Sequence, residues 1–247
     1  MKLIVTGAAG RMGRELLSAI AATEGRFTVA AAVDISGTAI DGVPTYTTLG
    51  DVTEEADVLI DFSHHAATAE ILDFAKARRL PLVIATTGQT KEELALIDAA
   101  AKAVPVFLSA NMSLGVALLA DLAKKAAAVF PDADIEIIEK HHNQKLDVPS
   151  GTALLLARRI QEVRPEATLL VGRHENGKRT RNEIGIHSLR YGNEVGTHEI
   201  IISTGSETVT LKHEAENRSL FAQGALAAAA FILGRAPGMY DMRSIIE

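Results

Sequence analysis

Cysteine is absent from the 247-residue chain. That excludes a disulfide framework, a thiolate zinc site and a cysteine nucleophile, and it suits a reducing compartment. Positive charge is in short supply as well: 25 Lys and Arg stand against 31 Asp and Glu, a net charge of −6. Generic binding to nucleic acid or to an anionic membrane is not expected from that balance, although a local basic patch stays open. Long apolar runs are missing. The uncharged stretch Ser219 to Gly234 is shorter than the roughly 18 residues of a membrane span and contains Gln223 and Gly224, so it reads as a buried helix. The opening MKLIVTGAAG holds one Lys before an apolar run too short for a signal h-region, with no cleavage site, so a cytoplasmic location is expected. No internal repeat or low-complexity linker is visible.

What is present is enough chain for one to two domains, at roughly 150 residues each. Short β-branched runs alternate with Ala- and Leu-rich stretches through the first hundred residues, the pattern of βαβ units around a parallel sheet. Strands are expected at Lys2 to Thr6, Phe27 to Val33, Val58 to Asp61, Leu82 to Thr86 and Val106 to Ser109, each followed by a helix. Apolar spacing of three and four places those helices at Arg11 to Ala22, Ala66 to Arg78 and Lys91 to Ala103. Right-handed crossovers then give a Rossmann-type doubly wound α/β sheet with a ligand crevice at the strands' carboxyl ends.

Past Asn111 the rhythm changes. A helix (Leu114 to Val129), a strand (Ile135 to Glu139), a polar loop and a helix from about Thr152 precede two late strands, Thr197 to Ser203 and Thr208 to Glu214, joined at Gly205-Ser206. An antiparallel or mixed sheet follows from that hairpin. The helix from Ser219 to Leu233 packs back on the first domain in this reading. The expected organisation is 1–111 plus about 215–247 as a dinucleotide-binding domain, with about 112–214 inserted as an α+β substrate and oligomerisation domain.

Immediately after the first strand stands GAAGRMG, comprising Gly7, Ala8, Ala9, Gly10, Arg11, Met12 and Gly13. Glycines between a strand and a helix let backbone amides cradle a pyrophosphate at the helix N-terminus. The spacing departs from G-x-G-x-x-G, and a tight turn without a ligand would use the same residues. Asp34 ends the second strand where a carboxylate would accept hydrogen bonds from an adenosine ribose, or serve as an ordinary turn residue. Ile35 follows it, with no Arg or Lys to meet a 2′-phosphate, so NADH is expected over NADPH. Two more turns share that rim, Ala85-Thr86-Thr87-Gly88 and Ser109-Ala110-Asn111-Met112; each suits the nicotinamide end of a cofactor or simple helix capping. His64 and His65 read as capping or surface residues.

The densest chemistry lies in EIIEKHHNQKLDVPSGTA, Glu136 to Ala153. A strand delivers His141 and His142, and Lys145 follows four residues after His141, so one loop carries a cation and groups able to exchange protons near neutral pH. Ser150 then caps a helix whose first amides, at Gly151 and Thr152, offer an anion site for a carboxylate. A metal at the paired histidines is disfavoured, because neighbours on a strand point to opposite faces and no third ligand has suitable spacing. A solvated loop before a capped helix is the plain alternative. Val171 to Arg190 has five Lys or Arg against two Glu and favours an anionic small substrate, unless it is only a charged loop. Arg218, before the last helix, reads equally as a hinge contact or a surface residue.

These residues resemble the 4-hydroxy-tetrahydrodipicolinate reductase (dihydrodipicolinate reductase) family over the whole chain. The likeness runs through GAAGRMG, ATTG at Ala85 to Gly88, SANMSLGV at Ser109 to Val116, EKHHNQKLDVPSGTA, EIGIHSLRYGNEVGTHEI at Glu183 to Ile200, and GMYDMRSII. The resemblance implies an NAD(P)H-dependent reduction of 4-hydroxy-tetrahydrodipicolinate, with loss of water, in diaminopimelate and lysine biosynthesis. It implies that Gly7 to Met12 hold the pyrophosphate, Asp34 the adenosine ribose, and Ala85 to Thr87 with Ser109 to Met112 the rest of the cofactor. His141 becomes a proton donor or acceptor and Lys145 a second donor, while His142, Ser150, Gly151 and Thr152 bind the substrate dicarboxylate; the assembly implied is a homotetramer. Three positions depart from the family pattern: Ala85 for a glycine, Val148 for an alanine, and Ile35 where many members place Arg. The last bears on NADPH use more than on activity, since members often accept both cofactors.

Overall fold

The computed structural model describes all residues 1–247, which divide into two compact units, Met1–Ser113 with Ser219–Glu247, and Leu114–Arg218. Unit 1 begins with β1 (Lys2–Thr6), α1 (Arg11–Ala21), β2 (Thr28–Val33), β3 (Thr45–Tyr46), β4 (Val58–Asp61), α2 (Thr68–Arg78), β5 (Leu82–Ile84), α3 (Lys91–Ala100) and β6 (Pro105–Leu108). Unit 2 holds α4 (Leu114–Val129), β7 (Asp134–His141), α5 (Gly151–Gln161), β8 (Thr168–Val171), β9 (Glu183–Arg190), β10 (Gly196–Ser203) and β11 (Thr208–Ala215). The chain then re-enters unit 1 as α6 (Ser219–Ile232), β12 (Gly238–Tyr240) and α7 (Arg243–Ile246).

Unit 1 is a seven-stranded parallel sheet in the order β12-β6-β5-β4-β1-β2-β3. Its central strands are apolar through their middles because helices cover both faces, and Leu3, Ile4, Val5, Leu59, Ile60, Leu82 and Val83 are fully buried. From β1 the chain winds outward first through β2 and β3, then back through β4, so the switch point that opens a crevice lies between β1 and β4. Thr6 and Asp61 end those two strands, and the Thr6 hydroxyl donates to the Asp61 carboxylate at 2.7 Å. The returning helix α6 lies on β4, β5 and β6, with Phe231 set edge-on between Phe107 of β6 and Tyr240 of β12.

Two expectations need correction here. No α-helix follows β2; β3 and one 3-10 turn, Leu49–Asp51, make that crossover. The sheet also gains β3 and β12 at its edges, whose two and three residues are too short to show any periodicity.

Unit 2 is a mixed sheet ordered β11-β10-β7-β9-β8, with β10 antiparallel to β7 and β11, and β9 parallel to β7 and β8. Alternation along β7, β9 and β10 turns Ile135, Ile137, Ile184, Ile186, Ile200 and Ile202 toward α4 and α5, where they form the core. Most of the basic segment is the charged loop 172–182 between β8 and β9, and of its cations only Arg190 stands on a strand. Its arginines are matched locally: Arg173 with Glu183 at 2.6 Å, Arg179 with Asp134 at 2.8 Å and with Glu136, Arg181 with Asp132, and Arg190 with Glu139. These four arginines are therefore paired with acids of the same unit.

Candidate functional site

The glycine loop of unit 1 is built by its own hydrogen bonds. Gly7 N and Ala8 N both donate to Val33 O, Ala9 N donates to the Asp34 carboxylate at 3.0 Å, and Gly10 N donates to Gly7 O at 3.0 Å. The amides left without a partner in the chain are those of Arg11, Met12 and Gly13, the first turn of α1, whose N-cap Gly10 supplies no side chain. The loop thus aims three donors and the positive end of a helix at one spot. Gly7 sits at φ +69°, and a Cβ there would lie 2.4 Å from Phe62 O; a Cβ on Gly13 would lie 2.2 Å from Gly7 O. Only glycine permits this approach of loop, helix and β4 end.

Beside the loop a cavity of about 560 Å³ opens, lined by Gly7, Gly10, Asp34, Ile35, Thr48, His64 and Glu70 among others. Its walls hold two carboxylates and no Lys or Arg. Burial works against ionisation of Asp34, yet hydrogen bonds from Ser36 and Ala9 and the field of Arg14 outweigh it and keep the carboxyl below its ordinary range. Glu70 accepts from the Thr48 hydroxyl at 3.1 Å. A cradle closed to any side chain, three unbonded amides and an ionised acid at the next strand end fit a dinucleotide.

The two rim turns end β5 and β6. Ala85 N donates to Asp61 O, Thr86 is buried with its hydroxyl turned to the same carbonyl, and Thr87 is exposed. The Ser109 hydroxyl donates to Asn111 O at 2.7 Å, Asn111 Oδ1 accepts from Ser113 N, Ala110 is exposed and Met112 is buried. His64 accepts from Ala66 N as the cap of a 3-10 turn, and His65 pairs with Glu93 at 3.0 Å; both therefore have structural work.

In unit 2, β7 carries Glu139 and His141 on the same buried face as Ile135 and Ile137. Glu139 is wholly buried and both its oxygens are engaged: one accepts from His141 Nδ1 at 2.5 Å, and both accept from the Arg190 guanidinium at 2.7 and 2.9 Å. Ser150 N adds a fourth donor at 3.2 Å. Burial alone would raise this carboxyl, but His141, Arg190 and Ser188 overcome it and hold Glu139 well below the usual carboxylate range. Beyond the strand, Lys145 Nζ meets Asp147 at 2.7 Å, and Arg190 also donates to the Asp147 carbonyl, tying the lysine loop to the carboxylate below it. His142 lies just past the strand, half-buried, with its amide on Glu194 O.

Ser150 is the N-cap of α5. Its hydroxyl accepts from Ala153 N at 3.2 Å and contacts His198 Nε2 at 3.1 Å, so it is occupied inside the protein. The Gly151 amide, at the first helical position, makes no hydrogen bond within the chain, and Thr152 follows it in the same turn. His198 packs edge-on against His141 with ring centroids 5.3 Å apart. Burial, with the field of His141, pushes its imidazole down to about 3, which keeps it neutral.

Glu139, Arg190 and His198 are absent from the expected site. Glu139 had a signal, a lone acid on the apolar side of an alternating strand; Arg190 and His198 reach it only through strand pairing across 51 and 59 residues.

Family models described as "Dihydrodipicolinate reductase, N-terminus" and "Dihydrodipicolinate reductase, C-terminus" match residues 1–112 and 115–246. The chain is 45% identical to a 4-hydroxy-tetrahydrodipicolinate reductase of Caldanaerobacter subterraneus and 42% identical to one of Clostridium tetani, covering all of this chain and 98% and 97% of those proteins. Among solved structures it is similar to a dihydrodipicolinate reductase with dipicolinate bound, from a Paenisporosarcina species (TM-score 0.83, 29% identity, 98% and 97% coverage). A DAP dehydrogenase of C. glutamicum shares the fold at TM-score 0.60 and 14% identity, over 98% of this chain and 93% of that one. With both family models matched across nearly its whole length, the chain belongs to the dihydrodipicolinate reductase family.

Proposed function

We propose that unit 1 holds the nicotinamide cofactor, that unit 2 holds the dicarboxylate, and that His141 and Lys145 handle the protons of the reduction. The reaction is the family's: 4-hydroxy-tetrahydrodipicolinate is reduced to tetrahydrodipicolinate, with loss of water, on the diaminopimelate route to lysine. The cofactor, when bound, supplies the hydride. Arg11, Met12 and Gly13 amides bind its pyrophosphate, Asp34 its adenosine ribose, and the Ala85–Thr87 and Ser109–Met112 turns its remaining length. The cavity, whose lining holds two carboxylates and no Lys or Arg, supports NADH over NADPH, since a 2′-phosphate there would meet Asp34 and Glu70.

The observation that carries the reading is the loop of unit 2: a buried, ionised Glu139 bonded to His141, a lysine four residues on, and an unbonded helix-start amide at Gly151. Gly151 with Thr152 receives a substrate carboxylate, and His142 stands beside them. Lys145 supplies a proton for the charge that develops as the ring accepts hydride, and His141 gives or takes one, work that contributes about 10² to 10⁴ in rate.

A homotetramer goes with this reading. The sheet face of unit 2 turned away from α4 and α5 carries Ile138, Leu189 and Ile201, none of which joins the helix-side core, and it supports pairing between copies. Light scattering of the purified protein tests that. A cytoplasmic setting suits the reaction, and no helix is long and apolar enough to cross a membrane.

The deciding assay follows loss of reduced-nicotinamide absorbance, with substrate made in place from pyruvate and aspartate semialdehyde by the preceding synthase, and NADH and NADPH in parallel. Turnover that needs the complete mixture, faster with NADH at low concentration, is expected. Cofactor binding without turnover would overturn the substrate assignment.

A further inference from the structure

We propose that Glu139 is a positioning residue for the reduction: it accepts a hydrogen bond from Nδ1–H of His141 and so fixes the tautomer in which Nε2 is the nitrogen left to exchange a proton, with Arg190 holding Glu139 in place. The proposal rests on the reductase reading and adds to it an assignment for a group that no substrate reaches.

The geometry leaves Glu139 little else to do. Its side chain has no exposure, so it touches neither substrate nor solvent. Burying a carboxylate on the core face of a strand, beside Ile135 and Ile137, is costly unless its lone pairs are used. Here four donors converge on two oxygens: His141 Nδ1, two Arg190 nitrogens and Ser150 N. His141 bonds at 2.5 Å, the shortest of these contacts. Because the carboxylate only accepts, Nδ1 must be the protonated ring nitrogen, and Nε2 is left bare in the neutral ring. The Nε2 edge lies 3.1 Å from where a Cβ of residue 196 would stand, so only a glycine there leaves the ring room to hold this orientation.

Arg190 makes the arrangement rigid. It stands opposite His141 in the parallel pairing of β7 and β9, forks onto both Glu139 oxygens, and reaches the Asp147 carbonyl at 2.8 Å. Asp147 is the partner of Lys145 at 2.7 Å. One guanidinium therefore ties the carboxylate that orients the histidine to the segment that carries the lysine. A second imidazole, His198, closes the far side of His141 while contributing no charge of its own.

Glutamine at position 139 has one acceptor oxygen for the same four donors. With Arg190 and Ser150 N competing for it, the amide NH₂ turns to Nδ1, which must then accept, and the tautomer inverts.

The test begins with the wild-type enzyme, so that it does not depend on a variant folding. In nitrogen-15-histidine-labelled full-length protein, neutral His141 is expected to carry its proton on Nδ1, the minor form of a free histidine side chain. Assignment of the signal uses the His141→Gln variant. Neutral His141 carrying its proton on Nε2 in place of Nδ1 would overturn the proposal, whether or not the enzyme turns over the assigned substrate. Kinetically, Glu139→Gln is expected to lower kcat at least about 100-fold with substrate KM held within about threefold, and Glu139→Asp to recover part of kcat. A folded Glu139→Gln enzyme with near wild-type kcat, or a loss confined to KM, would refute it.

Discussion

Replacing Gly151 by proline removes a single hydrogen-bond donor and little else. Gly151 is the first residue of α5, where its N–H has no role in the helix and where proline is a favoured residue. A Cβ there meets nothing within 4 Å, and Ser150 before it already sits at φ −63°, ψ 151°, the region that a following proline requires. The fold should therefore gain about 0.4–1 kcal/mol through the stiffer unfolded chain. If the Gly151 amide binds a substrate carboxylate, its loss removes a hydrogen bond to a charged group, about 1.5–3 kcal/mol, or a rise in substrate KM of roughly 10- to 150-fold. Cofactor KM should not move. Initial rates against substrate at saturating NADH, with urea unfolding of the same preparation, measure both quantities. A variant of wild-type stability and wild-type substrate KM would refute the anion site at the start of α5.

Gly13→Ala tests the opposite case: helix propensity alone predicts a gain of about 1 kcal/mol, but a Cβ 2.2 Å from Gly7 O must displace the loop and its bonds to Val33 O, so a net loss of about 2 kcal/mol and a weakened cofactor KM are expected. A more stable variant with unchanged cofactor KM would show that the loop is not packed as described. Lys145→Ala should lower kcat by about 10² or more while cofactor KM stays put, and an unchanged kcat would remove Lys145 from proton transfer. His198 gives a pH dependence with a definite sign: unfolded it takes up a proton near 6.5, folded only near 3, so stability is full above 6.5 and falls as pH drops below it, by up to about 1.4 kcal/mol per unit. Urea midpoints measured near pH 7 and near pH 5 for wild type and His198→Gln should show a steeper acid loss in the wild type; equal slopes would mean that His198 is protonated in the fold.

Strands β1, β2, β4, β5 and β6 and helices α1, α2 and α3 were legible because the strands are apolar through their middles and the helices show a three-four repeat. Helix α4 falls on Leu114–Val129, as its apolar spacing indicates. Strand β9 was readable in principle, since Ile184 and Ile186 alternate with Gly185 and His187, but its charged surroundings masked the period. The chemistry was legible where it is local. His141, Lys145 and the Ser150 cap lie within ten residues, and spacing alone brings them together. The buried network was not, because Arg190 reaches Glu139 only through the pairing of β9 with β7 and His198 reaches Ser150 only through that of β10. Likewise the basic segment gives no sign in one dimension that Asp132, Asp134 and Glu136, some 40 residues earlier, stand ready to neutralise it.

Because β12 pairs with β6 and α6 lies across β4 to β6, unit 1 is assembled from two stretches of chain with all of residues 114–218 between them. Unit 2 is continuous. A ribosome adding about 5–20 residues per second completes the sequence of unit 2 before that of unit 1. The second unit can therefore mature first, while six strands of the other wait with Phe107 uncovered on a sheet face that lacks its last helix. A message truncated just after residue 218 would release a finished unit 2 joined to an open, adhesive partner, a product for chaperones or proteases rather than a half-active enzyme.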